Sequence, residues 1–364
     1  MSTIEILDHT TIYTNPIPTL RSRHAYFPGM ERLPNGDLIA MFPIGEAFES
    51  ADQQVHLTRS TDQGKTWSKA QPIHPQAPKG LGSLKPTRLK DGSLVAIGYA
   101  FYHPDPETLA NPQTGGLAPG ENLITTSTDQ GNTWSKPTRL VHNRKEVLEL
   151  SGPAIQTQNG DLLALGYPML PWDGKRPSGI VGVLLRSQDG GRTWDDRTLY
   201  FNHPPISPLE ARLCQLTDGR IVAIVWALDE TSGKCHPNMV VVSSDNGKTW
   251  SAPIDTKMDA QASNVTALED GKLLSIHAHR QSEPAGIFVR YVDFANNQWK
   301  VLAEVPLWDR APALQVKGFA DMGANLKFGQ PSLLSLGNNE FLAYHWAIEN
   351  GQGKILAHRL RLRP

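Results

Sequence analysis

The chain is poor in cysteine and carries almost no excess charge of either sign. Its 364 residues include two cysteines, Cys214 and Cys235, so a disulfide framework is not indicated. Lysine and arginine number 35 against 36 aspartates and glutamates, which leaves a formal net charge of −1. Nucleic-acid-binding domains are usually basic with clustered lysine and arginine. The composition therefore favours a small molecule or a glycan as the partner, and disfavours DNA or RNA.

Long hydrophobic runs are also missing. No segment approaches the roughly 18 consecutive apolar residues that a membrane-spanning helix needs. The stretch from Met1 to Asp8 lacks the basic and apolar regions of a signal peptide. We therefore expect a soluble, cytoplasmic protein without a membrane partner. No helical periodicity of useful length occurs, and no ligand set indicates a metal, so we expect an all-β fold without a metal or another cofactor.

An eight-residue pattern occurs four times in full. Each copy has Ser at its first position, Asp at its third, Gly at its fifth and Thr-Trp at its end. The copies span residues 60–67, 127–134, 187–194 and 243–250, and a degenerate fifth copy spans 292–299. The Asp can accept hydrogen bonds from N–H groups of its own turn, and the Gly supplies a positive φ. We interpret the Asp as a turn residue, and the Trp as packing between neighbouring units.

A second signature lies upstream of each of these copies. Two apolar runs flank a short turn of the Asn-Gly or Asp-Gly type, which is a strong β-hairpin signal. Six such turns occur, at residues 35–36, 91–92, 159–160, 218–219, 270–271 and 338–339. Each repeating unit therefore contains two hairpins, or four antiparallel strands.

The repeat predicts the fold. The tryptophans that end the first signature lie on average about 58 residues apart, so the chain holds about six units. Four-stranded units repeated around an axis form a β-propeller. We predict one domain over residues 1–364, an all-β, six-bladed propeller of four-stranded antiparallel blades. The blades are expected at roughly 20–75, 80–140, 148–200, 207–256, 260–303 and 326–362. The segment from Ile4 to Tyr13, or the C-terminal strand, closes the sixth.

The eight-residue pattern with its Asp at the third position is an Asp box. Asp boxes on a six-bladed propeller resemble the sialidase (neuraminidase) superfamily, over roughly residues 20 to 362. That family uses three arginines on the substrate carboxylate, a Tyr nucleophile paired with a Glu, and an Asp acid/base. By this resemblance Glu210, in Leu209-Glu-Ala-Arg212, matches the family's Glu. Asp52 matches the acid/base, with Glu46 and Glu49 close by.

The resemblance is incomplete at the other catalytic positions. Tyr26, in Ala25-Tyr-Phe-Pro28, stands where the first arginine is expected, and Gln330 stands where the nucleophilic Tyr is expected. Lys234, His236 and Arg280 lie in loops comparable to those of the remaining arginines. The resemblance thus implies a sialidase-like, carbohydrate-active propeller for which sialic acid is not the expected substrate.

The functional site of a propeller lies at the mouth of its central channel. Residues at the starts of the innermost strands and in the loops after the second strands form its rim. We predict Glu210, Asp52, Tyr26 and His24 as catalytic residues. The predicted substrate-binding residues are Lys85, Arg212, His279, Arg280, Lys327, Gln330, His345 and Trp226. The rim also includes Glu149, Asn264, Tyr102, His103, Trp172 and Trp346.

Three functions fit this polar rim with its aromatic residues. A glycoside hydrolase acting at a non-reducing end, on a possibly acidic sugar, would use two carboxylates, for which we choose Glu210 and Asp52. A polysaccharide lyase would use Tyr26 or a rim histidine to remove a proton beside a uronic carboxylate. A propeller without catalytic residues would bind glycans only.

Overall fold

A computed structural model describes residues 3–75, 81–314 and 325–363. Six antiparallel sheets surround one axis, five with four strands and one with an additional fifth strand, which confirms the predicted six-bladed β-propeller. From the axis outwards, blade 1 consists of β3 (Gly29–Arg32), β4 (Leu38–Gly45), β5 (Gln54–Ser60) and β6 (Gln71–Pro72), and β2 (His24–Ala25) also pairs with β4. Blade 2 consists of β7 (Leu81–Arg88), β8 (Leu94–Phe101), β9 (Gly120–Ser127) and β10 (Thr138–Arg139).

The next three blades repeat this order. Blade 3 consists of β11 (Ile155–Gln156), β12 (Leu162–Gly166), β13 (Gly182–Ser187) and β14 (Asp195–Phe201). Blade 4 consists of β15 (Ile206–Gln215), β16 (Ile221–Asp229), β17 (Met239–Ser243) and β18 (Ile254–Asp255). Blade 5 consists of β19 (Ser263–Ala267), β20 (Leu273–His279), β21 (Gly286–Asp293) and β22 (Lys300–Trp308), with a 3₁₀ turn at Ala295–Asn297.

Both ends of the chain build blade 6. Its strands from the axis outwards are β23 (Phe328–Gly337), β24 (Glu340–Glu349), β25 (Gln352–Arg363) and β1 (Thr3–Tyr13). The N-terminal segment therefore supplies the outermost strand, and the C-terminal strand lies beside it. This pairing closes the ring of blades.

Three histidines cross this closing seam. His358 Nδ1 lies 2.6 Å from His9 Nδ1, and its Nε2 lies 3.0 Å from His345 Nε2. His345 Nδ1 faces the Trp346 carbonyl oxygen at 3.1 Å, so this nitrogen donates and Nε2 of the same ring accepts. His358 then donates from Nε2 and accepts from His9. Because burial lowers the pKa of His345 to about 4, the ring stays neutral near pH 7.

The Asp boxes form the turns that the sequence predicts. In the first copy, Asp62 accepts hydrogen bonds from the Thr66 amide (2.9 Å), the Thr66 hydroxyl (2.6 Å) and the Ser60 hydroxyl (2.7 Å). These bonds hold the pKa of Asp62 at about 2, with the Thr66 hydroxyl as the largest cause. Gly64 adopts the expected positive φ of 88°. The Asp carboxylate is thus committed to its own turn.

The Asp-box tryptophans pack between blades, as predicted. Trp134 of blade 2 packs against a core cluster that includes Met41 and Val55 of blade 1, and Trp194 of blade 3 belongs to a core cluster that includes Val95 and Ile97 of blade 2. Each indole therefore covers the face of the preceding blade.

Arginines connect neighbouring blades at the height of the Asp boxes. Arg186, on the third strand of blade 3, donates to the carbonyl of Asn246 in the Asp box of blade 4, at 2.5 Å. It also pairs with Asp161 in its own blade at 2.5 Å. Arg59 connects blades 1 and 2 in the same way, through the Gln130 carbonyl at 2.6 Å, and Arg359 connects blades 6 and 1 through the Gln63 carbonyl.

Replacing this arginine should weaken the ring. We expect Arg186→Met to lower the free energy of unfolding by about 2 kcal/mol, because it removes charge-assisted hydrogen bonds and leaves Asp161 without its ion-pair partner. Urea unfolding would measure the change. Arg192→Met, an exposed arginine of the adjacent Asp box, is the control and should be nearly neutral. Equal stability of both variants would contradict the inter-blade role of Arg186.

Candidate active site

Strained backbone marks the mouth of the channel. Phe27, Glu210 and Gln330 have φ values of 49°, 44° and 42°, in the left-handed region that non-glycine residues rarely adopt. Glu210 and Gln330 lie at register shifts of the innermost strands of blades 4 and 6, and Phe27 lies where β2 gives way to β3. Such conformations cost about 1–3 kcal/mol each and cluster at functional sites.

Lys85 connects these positions. Its ammonium donates to the carbonyls of Phe27 and Pro28, the latter at 3.3 Å, and to Gln330 Oε1 at 3.2 Å. The three acceptors match the three N–H bonds of an ammonium group. The side chain is buried, and this burial lowers its pKa well below the usual value. Because Lys85 holds the oxygen of the Gln330 amide, the NH2 group of that amide faces Glu210.

Gln330 in turn orients Glu210. Its Nε2 donates to Glu210 Oε1 at 2.8 Å. The other oxygen, Oε2, is buried and has no hydrogen-bond partner among the described residues, although Arg280 NH1 lies 3.9 Å away. Glu210 is thus held at one oxygen, and its second oxygen keeps its acceptor capacity.

Glu149, from the connection that leads into blade 3, lies beside Glu210. Its Oε2 accepts a hydrogen bond from the Glu210 amide at 3.3 Å, and its Oε1 accepts one from Ser151 at 2.6 Å. Burial, followed by the Glu210 carboxylate, raises the pKa of Glu149 to about 7. A group with this pKa can carry and release a proton near neutral pH.

A third carboxyl group, Glu49, reaches the same place from the loop after β4. Burial raises its pKa to about 7, which Lys85 opposes and Glu149 reinforces. Burial, and then the charges of Glu49, Glu149 and Glu210, raise the pKa of Tyr99 on β8 well above its usual value. We name Glu49, Glu149 and Glu210 the carboxylate cluster.

Arg212 separates this cluster from the opposite end of the channel. Its NH1 donates to the carbonyls of Glu210 and Ala211 at 2.9 and 3.0 Å. Beyond it, a cavity of about 730 Å³ opens towards the hairpin turns that join the first two strands of the blades. Its lining includes Glu31 and Arg88, which form an ion pair at 3.9 Å. The unpaired oxygen of Glu210 lies at the other end, so we assign the site there.

Two long loops build a wall beside the carboxylate cluster. They span 102–119 in blade 2 and 167–181 in blade 3. Leu117 donates to the Leu170 carbonyl at 2.8 Å, and Asn111 donates to the Trp172 carbonyl at 3.0 Å. The Glu149 amide donates to the Tyr167 carbonyl at 2.8 Å, which ties the acid to this wall.

The structure brings five sequence-predicted residues together at the mouth: Lys85, Glu210, Arg212, Arg280 and Gln330. Asp52, the predicted partner of Glu210, instead caps its own loop. Its Oδ1 accepts hydrogen bonds from Ser50 Oγ at 2.7 Å and from the Glu46 amide at 3.0 Å. Glu149 occupies the position beside Glu210 that the sequence analysis gave to Asp52.

The predicted proton acceptors of the lyase hypothesis lie in packed surroundings. Tyr26 is 3% exposed and packs edge-on against Phe48 and Trp346, each at 5.3 Å between ring centroids. Burial raises its pKa to about 12, so its hydroxyl remains protonated at neutral pH. His24 Nδ1 accepts a hydrogen bond from the Gly353 amide at 2.9 Å, at the boundary between blades 6 and 1.

Of the other predicted binding residues, one lies at the mouth and three lie away from it. Trp226 lies beneath Arg280, whose guanidinium carbon is 5.5 Å from the ring centroid. His345 belongs to the seam of blade 6 and not to the rim. His279 packs on Phe288 at 4.8 Å and bonds to Arg290, towards the outer strands. Lys327 is exposed where β23 begins.

Sequence reasoning did not assign roles to Glu49 and Glu149. A signal for Glu149 was present, because Leu148-Glu149 precedes the blade 3 hairpin much as Leu209-Glu210 precedes that of blade 4. No comparable signal exists for Glu49, whose left-handed backbone (φ 52°) directs it inwards from a loop. Within residues 3–75, 81–314 and 325–363, no group of three or more His, Cys, Asp or Glu is arranged to hold a metal ion. The same residues contain no helix long and apolar enough to cross a membrane.

Comparison with known proteins identifies the class. The BNR repeat-like domain model matches residues 99–355, and the BNR/Asp-box repeat model matches residues 58–69. A sialidase of Bacteroides fragilis (strain YCH46) is 26% identical over 247 residues, which are 61% of this chain and 42% of that protein.

Solved structures show the same fold. A Dyadobacter fermentans protein of unknown function superposes with a TM-score of 0.78, at 22% identity and 99% coverage of both chains. The α-L-arabinanase of Penicillium chrysogenum, solved with arabinobiose, gives a TM-score of 0.64, at 15% identity and 98% coverage of both chains. At these identities the likeness concerns the fold alone.

The fold and the repeats thus define a sialidase-like, Asp-box β-propeller. The chain belongs to the BNR repeat-like domain family, whose model covers most of its length. The named enzymes that it resembles are glycosidases.

The raised pKa of Glu149 can be tested directly. We expect its carboxyl to titrate near pH 7, and Glu210→Gln to return this pKa towards the usual value of 4.5, because the variant removes a neighbouring negative charge. Carbon-13 NMR of glutamate-labelled protein would follow the titration. Glu269→Gln, in an exposed turn, is the control and should leave the titration unchanged. An unaltered Glu149 titration in Glu210→Gln would contradict the coupling of the two acids.

Proposed function

We propose that this propeller is a glycoside hydrolase in which Glu149 is the general acid and Glu210 is the second catalytic carboxylate. The observation that carries the proposal is the pairing of these two acids. Glu149 has a pKa of about 7, while Glu210 is oriented by Gln330. Glycosidases require one protonated and one ionised carboxyl group on either side of the bond that they cleave. The glycosidase relatives support the same reaction class.

The reaction follows from these positions. Glu149 gives its proton to the glycosidic oxygen as the bond from that oxygen to the anomeric carbon breaks. Glu210 either attacks the anomeric carbon or takes a proton from the attacking water, depending on the distance between the carboxyl groups across the bound sugar. If Glu210 attacks, a water that gives its proton to Glu149 then breaks the bond between Glu210 and the anomeric carbon. In both cases the oxygen of one water ends on the anomeric carbon, and the leaving group departs as an alcohol.

The wall of two loops supports action at a chain end. It rises over blades 2 and 3 beside Glu149, whereas the β24–β25 connection of blade 6 is a short turn at Asn350 and Gly351. A polysaccharide that crossed the channel mouth would meet the wall on one side. Among residues 325–363, the blade 6 side of the mouth is the lower one and admits a terminal sugar, so we propose exo-acting hydrolysis.

Variants with matched substrates assign the acid. We expect Glu149→Gln to lower kcat/KM about 10²–10⁴-fold on natural linkages, because general acid catalysis supplies that factor. On dinitrophenyl glycosides of the same sugar the loss should be much smaller, since that leaving group needs no proton. Glu210→Gln should be inactive on both substrates. If Glu49→Gln, and not Glu149→Gln, shows the leaving-group dependence, then Glu49 is the acid.

The pH dependence provides a second test. Because Glu149 must be protonated to act as the acid, kcat/KM should fall about tenfold per pH unit above pH 7. This basic limb should disappear in Glu149→Gln when the activated substrate is used. A basic limb that persists unchanged in the variant would assign it to another group.

A further inference from the structure

We propose that Tyr167 is a positioning residue, which holds Glu149 at its working distance from Glu210 by joining it to blade 4. The inference rests on the proposed function, because it concerns the acid of that reaction. Tyr167 is the first residue of the loop 167–181 of blade 3. Its carbonyl is bonded to Glu149, and its hydroxyl is bonded to blade 4.

Glu149 lies outside the strands of its blade, so the sheet alone does not fix its place. The innermost strand of blade 3, β11, begins only at Ile155. Neighbouring segments hold the backbone instead. Asn122 of blade 2 accepts a hydrogen bond from the Leu148 amide at 2.8 Å and donates one to its carbonyl at 2.7 Å. From the other side, the Tyr167 carbonyl accepts a hydrogen bond from the Glu149 amide at 2.8 Å.

The side chain of Tyr167 is built into blade 4. Its ring is 5% exposed and belongs to an apolar cluster whose other buried members lie on β15 and β16, namely Leu209, Trp226 and Leu228. Leu209 directly precedes Glu210 in the chain. Tyr167 thus belongs to the same packed unit as the backbone next to the second catalytic carboxylate.

A charged acceptor fixes the Tyr167 hydroxyl. This hydroxyl donates to Oε1 of Glu230, directly after β16, and Ser207 Oγ donates to the same oxygen. Arg176, from the same loop as Tyr167, donates to this oxygen at 2.8 Å, and its guanidinium carbon lies 5.0 Å from the Tyr167 ring centroid. Burial opposes ionisation of Glu230, but these three donors outweigh it and lower the pKa of Glu230. Hydrogen bonds to an ionised acceptor are about twice as strong as those between neutral groups.

These bonds form a continuous connection from blade 4 to the proposed acid. It runs from Glu230 through the hydroxyl, ring and carbonyl of Tyr167 to the Glu149 amide. Glu149 Oε2 returns to blade 4 by accepting a hydrogen bond from the Glu210 amide at 3.3 Å. Because both ends of the connection lie on blade 4, a change at the Tyr167 hydroxyl alters the distance between the two carboxyl groups. A misplacement of about 1 Å in a catalytic arrangement can cost about 10²-fold in rate.

Tyr167→Phe tests the inference, because it removes the hydroxyl and keeps the ring. Glu230 retains Ser207 and Arg176, so the variant is expected to fold. The probes are phenyl and dinitrophenyl glycosides of pentoses, hexoses and sialic acid, and the sugar that the wild type cleaves is used. We expect kcat to fall about tenfold on the phenyl glycoside and by less than about twofold on the dinitrophenyl glycoside, which needs no proton to depart. A purely structural effect would lower both rates equally.

Blade 5 supplies a matched control of the same construction. Tyr291 donates to Asp270 Oδ2 at 2.7 Å, and Lys272, which pairs with Asp270 at 2.7 Å, lies 5.6 Å from the Tyr291 ring centroid. Tyr291→Phe should leave the ratio of the two rates unchanged. Equal losses on both probes in Tyr167→Phe, or no loss on either, overturn the inference and leave the hydrolase function standing. A wild type that cleaves no glycoside overturns the hydrolase function, and the inference with it.

Glu230→Gln repeats the test without altering Tyr167, and it decides the matter if Tyr167→Phe does not fold. Removing the negative charge weakens the bond that the Tyr167 hydroxyl donates, so the ratio should shift in the same direction by a smaller factor. In the double variant Tyr167→Phe/Glu230→Gln the two effects should not add, because both act through one bond. An unchanged ratio in Glu230→Gln, or additive effects, would overturn the inference.

Discussion

Face-to-face packing of neighbouring blades is the constraint on which this molecule depends. Each sheet has two apolar faces, and each face is covered only when another blade lies against it. The Asp box serves this packing, because its hydrogen-bonded turn holds a tryptophan against the preceding blade, as Trp134 shows. Three arginines add hydrogen bonds to the Asp boxes of the next blades, namely Arg59, Arg186 and Arg359. A ring built this way is rigid at its circumference and leaves a channel at its axis.

The channel mouth uses that rigidity to hold an arrangement that is unfavourable by itself. Three acids gather there, and three residues of the site, Glu49, Glu210 and Gln330, have left-handed backbones. Lys85 compensates by joining blades 1, 2 and 6 through one ammonium group. Because residues from several blades meet at the axis, the chemistry of the site belongs to the ring and not to one blade.

The sequence specifies the fold more fully than the site. Asp-box and Asn-Gly turns are stabilised by bonds within a few residues, so their pattern predicted the six blades without any tertiary information. The place of a residue along an inner strand sets its height in the channel, so the positions of Lys85, Glu210, Arg212 and Gln330 were predictable. Arg280 directly follows β20, and its position was predictable from the end of that strand. The sequence did not show that bonds to Ser50 and Glu46 hold Asp52 in its own loop, and its catalytic role stays a prediction. Glu49 escaped prediction because loop conformation, which depends on distant contacts, directs it inwards.

The closure of blade 6 has a consequence for synthesis on the ribosome. Thr3 pairs with Arg363, and the chain of three histidines spans the same seam. Strand β1 must therefore wait, unpaired, until β25 has emerged. Throughout that interval the growing chain exposes an unprotected sheet edge and one uncovered blade face, which are features that promote association between chains. Closure of the ring through β1 therefore cannot precede the emergence of β25, and it is the step that removes both exposed features.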